Sequence, residues 1–368
     1  MRKIKVLHYL RHLGLGGTEK TCQLFFEHAN SDKFEVAVVF EKTGEHPRLE
    51  EFQKAARVSG GKLFEVNSWE NRSSVNGDEL QQVIDNFKPD ILHVYQSGYA
   101  EFPRPNIHIT VPRFVITNVF GFIDPNSAID RDLFMSEWLM NHSLRMYLRG
   151  ANPRFDFVNN PVEMPYADSV LPIASQWHEE GATVVGRCGR PDNGIYNSVS
   201  VDAVRLLRLQ GYDIRFIVVA PPSNMIDDLV KYEIPFHVVE PTTNPLILST
   251  FYNSLDIYTH ARADGETFGV NIAEAMIHGK PVITHYARAS VPGMGVFQAQ
   301  TTLVNTAETG WVVNNHPDEY AEALKMLIDD QGMRFRMGEA GRHKAEAEFE
   351  ASVCVKKLEK IYEEVING

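Results

Sequence analysis

Two carboxylates eight positions apart carry the clearest chemical signal in this 368-residue chain, within Asp264-Gly265-Glu266-Thr267-Phe268-Gly269-Val270-Asn271-Ile272-Ala273-Glu274. The residues from Val270 read as a helix start. Gly269 just before it lets backbone N–H groups come close to a ligand, and the helix N-terminus carries partial positive charge suited to a phosphate or sugar oxygen. Glu266 stays in the loop while Glu274 lies about one turn inside the helix, so the pair can accept hydrogen bonds from hydroxyls on both sides of an anion site. The residues alone leave equally open that Glu266 is a solvated loop residue and Glu274 an exposed helix residue. A second glycine cluster, Leu13-Gly14-Leu15-Gly16-Gly17-Thr18, follows the first apolar run. Such a turn can bring amides against a diphosphate and Thr18 can cap the next helix, although the spacing does not complete a dinucleotide fingerprint.

The elements that must position these residues alternate along the whole chain. Apolar runs at Ile4–Tyr9, Phe34–Phe40, Lys62–Val66, Asp90–Tyr95, Phe114–Thr117 and Phe155–Val158 read as strands, with helices at 18–29, 48–58, 78–87 and 136–148. The second half repeats the pattern. Strands are expected at Thr183–Val185, Ile214–Val219, Phe236–Val239, Asp256–Thr259 and Pro281–Thr284, with helices near 198–210, 223–232, 245–254 and 270–278. This alternation predicts an α/β class with parallel sheets wrapped by helices. The proline-rich stretch Asn159–Pro172 breaks the alternation and reads as a linker. The last segment, 351–366, is amphipathic with no strand after it, so it must dock on something already built.

Composition narrows the class further. Hydrophobic residues at 43% and charged residues at 23% are globular values, which excludes a disordered chain. No apolar stretch reaches the roughly 18 to 20 residues that a membrane helix needs. Cys22, Cys188 and Cys354 lack the count and spacing of a disulfide framework or a zinc site, which fits a reducing, cytoplasmic setting. The net charge of -12 argues against nucleic-acid binding, but it is uneven: residues 1–160 carry 19 basic and 20 acidic side chains, leaving 17 and 28 for the rest. The nearly neutral first half leaves contact with an anionic membrane surface open.

The segment from Glu266 to Glu274, with Phe268-Gly269 inside it and Gly279-Lys280-Pro281-Val282-Ile283 after it, resembles the E-x7-E stretch of retaining GT-B glycosyltransferases, in particular family four, the group 1 enzymes. The resemblance extends more faintly over nearly the whole chain, through the Gly16-Gly17 turn, Pro89-Asp90-Ile91-Leu92-His93, Ser136-Glu137, Asn160-Pro161-Val162 and Val185-Gly186-Arg187. It implies two Rossmann-like domains facing across a cleft: an acceptor-side domain over 1–165, joined by the terminal helix 351–366, and a donor-binding domain over 173–348. It also implies transfer of a sugar, with retention, from a nucleoside diphosphate sugar, UDP- or GDP-linked, to a hydroxyl of a glycan or lipid-linked acceptor, with no cofactor or obligatory metal.

By the same resemblance Glu266 would hold hydroxyls of the donor sugar and Glu274 the ribose, while the backbone of Phe268, Gly269, Val270 and Asn271 meets the sugar and distal phosphate. Gly16 and Gly17 would approach the donor phosphates, and Arg187 would neutralise the leaving diphosphate. The chain departs from the family pattern at three places. Asn193-Gly194 stands where a lysine is usual, with Arg190 as the nearest substitute cation; Asn118 stands near the place of a catalytic histidine; and Ala287-Arg288-Ala289-Ser290-Val291-Pro292-Gly293 replaces a common Gly-Gly turn and glutamate. His93 matches an earlier acceptor-side position, though a lone histidine at a strand end also serves as a hydrogen-bonded structural residue. Two rival readings share the architecture: a nucleotide-sugar 2-epimerase, and a non-catalytic subunit that binds sugar nucleotides.

Overall fold

The computed structural model of the chain describes residues 2–42, 44–67, 76–96, 109–124, 126–147, 150, 154–166 and 168–368. They divide into two compact units, Met1–Pro161 with Ala351–Gly368, and Val162–Glu350. The expected helix ending at Leu148 runs in the structure from Glu137 to Met146, and Leu148 itself lies outside the described residues, as does Ala167 in the expected linker.

The first unit runs β1 (Ile4–Leu10), α1 (Gly17–His28), β2 (Phe34–Lys42), α2 (Leu49–Ser59), β3 (Lys62–Asn67), α3 (Gly77–Phe87), β4 (Ile91–Gln96), β5 (Arg113–Asn118), β6 (Arg131–Phe134), α4 (Glu137–Met146) and β7 (Phe155–Phe157). Its parallel sheet has the order β3-β2-β1-β4-β5-β6-β7. Buried apolar runs such as that of β1 suit strands covered on both faces. The helices begin where side chains satisfy orphan amides: Asn76 accepts from the N–H groups of Asp78 and Glu79, and Ser136 from that of Leu139.

The second unit runs α5 (Pro172–Glu179), β8 (Thr183–Cys188), a 3-10 turn over Asn193–Ile195, α6 (Val199–Leu209), β9 (Ile214–Val219), α7 (Ser223–Lys231), β10 (Phe236–Val239), α8 (Pro245–Asn253), β11 (Ile257–Thr259), α9 (Val270–Ile277), β12 (Val282–His285), α10 (Gln300–Leu303), β13 (Gly310–Val313), α11 (Pro317–Asp329) and α12 (Gln331–Glu348). Its sheet repeats the same winding as β10-β9-β8-β11-β12-β13. In both sheets chain order reverses beside the first strand, at β1/β4 and β8/β11. Ligands of doubly wound sheets bind at the carboxyl ends of strands at this switch point.

After the second unit, α13 (Ala351–Asn367) returns to the first and places Cys354, Val355, Leu358, Ile361, Tyr362 and Val365 in the core formed by β1, β2 and α1. Among the described residues, no helix is long and apolar enough to cross a membrane.

Candidate functional site at the switch point of the second unit

β8 ends in Gly186, Arg187 and Cys188. The Arg187 side chain lies at that end with the residue only 4% exposed, and among the described residues no hydrogen bond reaches its Nη1. Burial pulls its guanidinium below an arginine's ordinary pKa, while the charge of Glu266 is among the influences opposing that shift. Gly189 makes room for the group: an added Cβ there would lie 3.1 Å from Arg187 Nη2. A buried cation without an ion-pair partner is costly in a folded protein, and an anionic ligand is the usual compensation.

The next strand over leads to α9. Gly269 caps this helix with φ +106°, a left-handed conformation that glycine adopts without strain. The N–H groups of Ile272 and Ala273 donate to Gly269 O, which leaves those of Val270 and Asn271 at the helix start outside the intrahelical ladder. Asn271 Nδ2 donates to Cys188 O at 2.8 Å, and Tyr258 OH donates to the same carbonyl at 3.1 Å, so the helix start is tied directly to the end of β8. Phe268 anchors the loop from beneath: it is 1% exposed and packs edge-on against Phe349.

The two motif glutamates sit in different surroundings. Glu274 is buried on α9, and its Oε2 accepts from Tyr252 OH at 2.7 Å. Glu266 accepts from His260 Nε2 at 3.2 Å and Arg262 Nη1 at 3.4 Å, and Arg262 also grips Asp264 through Nε and Nη2 at 2.6 and 3.0 Å. Burial alone would raise the Glu266 pKa; Arg262, His260 and then Arg190 outweigh it and hold the carboxyl at about 2. Glu266 is therefore a fixed acceptor at neutral pH.

The structure thus brings Arg187, Glu266, Phe268, Gly269, Val270, Asn271 and Glu274 together at one end of one sheet. Arg190 is exposed beside them and adds its charge to the field on Glu266. Asn193 is occupied elsewhere: Nδ2 donates to Ser223 Oγ at 2.9 Å and Oδ1 accepts from Asn224 N–H at 3.2 Å, which ties its turn to the start of α7. Tyr252, Tyr258, His260 and Arg262 were missed by sequence reasoning. They lie outside the Glu266–Glu274 segment, and only a contact map reveals their role.

The remaining candidates belong to the first unit. Gly16 caps α1, and Gly17 is that helix's first residue, exposed. Asn118, 1% exposed at the end of β5, donates from Nδ2 to Asp132 Oδ1 at 2.9 Å while its Oδ1 has no partner among the described residues. His93 is fully enclosed, with Nδ1 at 2.6 Å from Tyr362 OH and Nε2 at 2.7 Å from Thr117 Oγ1. Burial drives its pKa well below the ordinary value. Both nitrogens are committed within the core, which is the arrangement of a structural histidine rather than of a general base.

Comparison with known proteins points the same way as the geometry. Residues 181–330 match the family model of the group 1 glycosyl transferases. Over 191 residues, 49% of this chain and 45% of the relative, the sequence is 29% identical to the capsular polysaccharide biosynthesis glycosyltransferase CapM of Staphylococcus aureus. The match spans less than half the length of that curated relative. A glycosyltransferase structure from Rickettsia africae superposes with a TM-score of 0.77 at 15% identity, covering 100% of both chains. The structure of Anabaena HepE in complex with UDP and glucose superposes with a TM-score of 0.73 at 13% identity, covering 98% of this chain and 100% of that one. The chain has the GT-B fold, and residues 181–330 of its second unit are similar to the group 1 glycosyl transferases.

Proposed function

We propose that the chain is a glycosyltransferase whose second unit binds a nucleoside diphosphate sugar, UDP- or GDP-linked, and that the sugar passes with retention of configuration to a hydroxyl of a glycan or lipid-linked acceptor. The observation that carries this reading is the buried Arg187 guanidinium with an unpartnered Nη1, beside a glycine-capped helix start at the switch point. A diphosphate fits that vacancy of charge. As the glycosidic bond breaks, the leaving phosphate gains negative charge, and a cation fixed in advance stabilises it without reorganising. Arg187 and the amides of α9 supply this positive charge, with Arg190 as the second cation.

Glu274, oriented by the buried Tyr252 hydroxyl, then holds the ribose hydroxyls, while Glu266, oriented by His260 and Arg262, accepts from hydroxyls of the sugar. No carboxylate is assigned as a nucleophile. The departing phosphate oxygen takes the acceptor's proton on the face the sugar leaves, so the new bond forms with the configuration of the old one. The name of CapM and the UDP and glucose bound to HepE support a nucleotide sugar and a polysaccharide product.

Thermal stabilisation across UDP, GDP and ADP sugars is the direct test, followed by NMR of the product's anomeric centre and by activity in excess chelator. Binding of none of these sugars would defeat the reading. An inverted product would defeat the mechanism alone, and loss of activity in chelator would defeat the assignment of the charge to Arg187 and the amides.

A further inference from the structure

Glu266 is held from a side that its own motif does not reach. Gln300, fully buried at the start of α10, accepts the Glu266 N–H on Oε1 at 2.9 Å. Its Nε2 donates to His285 O at 3.2 Å and to Gln298 Oε1 at 3.1 Å. Gln298 in turn grips Ala287 at both backbone groups, accepting from its N–H at 3.1 Å and donating to its carbonyl at 2.8 Å. An N–H on one side and a carbonyl on the other fix the orientation of the Gln300 amide, because a flipped amide would set like groups against each other at both ends. The backbone follows the same path: Phe297 N–H donates to Asp264 O at 3.2 Å and Ala299 N–H to Glu266 O at 3.0 Å. Gly265, at φ +74°, permits this approach, since an added Cβ would collide with Phe297 O.

We propose that Gln300 is a positioning residue for the Glu266 carboxylate, its amide spanning from the Glu266 N–H to the end of β12 so that the segment after β12 sets where the sugar-binding group stands. The proposal rests on the sugar-binding role given to Glu266 above. Glu266 Oε1 is 3.2 Å from His260 Nε2, and His260 Nδ1 is 2.8 Å from Thr284 Oγ1 on the same strand end. The main chain and the side chain of Glu266 are therefore both referenced to β12, one through Gln300 and one through His260. Removing the Gln300 amide leaves a buried N–H and a buried carbonyl without this partner, and the loop has to shift to satisfy them. Arg187, Glu274 and Tyr252 do not depend on this clasp, so the nucleoside diphosphate keeps its own contacts.

The experiment is calorimetric titration of the full chain with UDP and UDP-glucose and, in parallel, with GDP and GDP-mannose. Gln300→Met preserves size and burial without the amide. It is expected to bind the nucleoside diphosphate within about twofold of the parent and the nucleotide sugar about tenfold more weakly. Gln300→Glu keeps the oxygen that accepts from the Glu266 N–H but sets a second oxygen against His285 O and Gln298 Oε1, so it breaks the span at its β12 end and is expected to weaken the nucleotide sugar about tenfold while the nucleoside diphosphate stays within about twofold. It carries the test if Gln300→Met does not fold, because unchanged sugar-nucleotide binding in Gln300→Glu would overturn the spanning role. Equal weakening of both ligands by Gln300→Met, or weakening of neither, overturns the positioning role and leaves the donor reading standing. A parent protein that binds none of the four ligands overturns both.

Discussion

Each unit holds a histidine paired with a threonine 24 residues later on the neighbouring strand: His93 with Thr117 at 2.7 Å, and His260 with Thr284 at 2.8 Å. The strands correspond, β4 and β5 in the first sheet and β11 and β12 in the second. The other ring nitrogen differs. In the first unit it meets the hydroxyl of Tyr362 on α13, inside a packed cluster with His8 and Tyr95; in the second it meets the carboxylate of Glu266 in a loop. The same pair is thus closed off as core in one unit and supports, in the other, the carboxylate to which we give a sugar-binding role. What decides between the two roles is whether the third partner is itself satisfied by the protein or still offers a charge to something outside it.

The largest expected break in the comparison is Arg187→Met. If the vacant guanidinium exists for a diphosphate, turnover should fall about 100-fold or more while the melting temperature stays level or rises, because an uncompensated buried cation is removed. A fall in both, measured by steady-state kinetics and calorimetry, would mean that Arg187 stabilises the fold instead. Glu274→Ala comes next. Loss of charge-assisted hydrogen bonds to ribose is expected to weaken nucleotide binding by about one to two orders of magnitude, and unchanged affinity in titration calorimetry would remove Glu274 from the site.

The histidines themselves should respond in opposite ways. His93→Leu leaves the hydroxyls of Tyr362 and Thr117 without a buried partner, so it is expected to cost about 3 kcal/mol in urea unfolding with turnover per folded molecule unchanged. His260→Leu is expected to cost less stability and to lower the affinity for nucleotide sugar more than for free nucleoside diphosphate. Matching responses from the two variants would erase the distinction.

Acid gives the smallest and most graded test. Burial holds His8 at about 3, far below the ordinary 6.5, and shifts His93 in the same direction. The unfolded chain then takes up protons first, so this stability is complete above about pH 6.5 and is lost as pH falls toward 3. At pH 5 the loss from His8 alone is about 2 kcal/mol. The second unit has His285, which burial draws to about 4 and which loses about as much as His8 by pH 5, while Glu266, held at about 2, keeps its contribution above about pH 4.5 and loses it only below. Because His93 adds its loss to that of His8, hydrogen exchange between pH 7 and 5 should show β1 and β4 losing protection before β8 and β12. Simultaneous loss would place the acid-sensitive groups elsewhere.

Most strands were legible because they are apolar runs between turn residues, and Ile214–Val219 and Phe236–Val239 fall where the sequence places them. β6 escaped notice because it is four residues that open on Arg131 and Asp132, and only its fold context shows Asp132 buried against Arg154. α12 has no apolar stripe to read: it packs through Met337, Gly338, Gly341 and Ala345, with Gly338 so close to Gly279 O that an added Cβ would collide. α5 begins at Pro172, the last residue of the proline-rich stretch that reads as a linker, although proline suits the first turn of a helix. Within the site, spacing exposed Glu266, Gly269 and Glu274. The groups that orient them arrive from other elements, Tyr252 from α8 and Gln300 from α10, and local pattern carries no trace of those meetings.

The docking of α13 into the first unit has a consequence for biosynthesis. A ribosome that has finished residues 1–161 has made every strand of the first sheet, yet Tyr362, the partner of His93, and the apolar face beside it do not exist until 162–350 has also been made. At about 5 to 20 residues per second the unfinished core waits on the order of ten to forty seconds. The second unit, contiguous in the chain, has no such delay. The domain that begins first is thus the one completed last, and during that interval it presents β1 and α1 without their cover, which makes the nascent chain rather than the mature protein the form most in need of a chaperone.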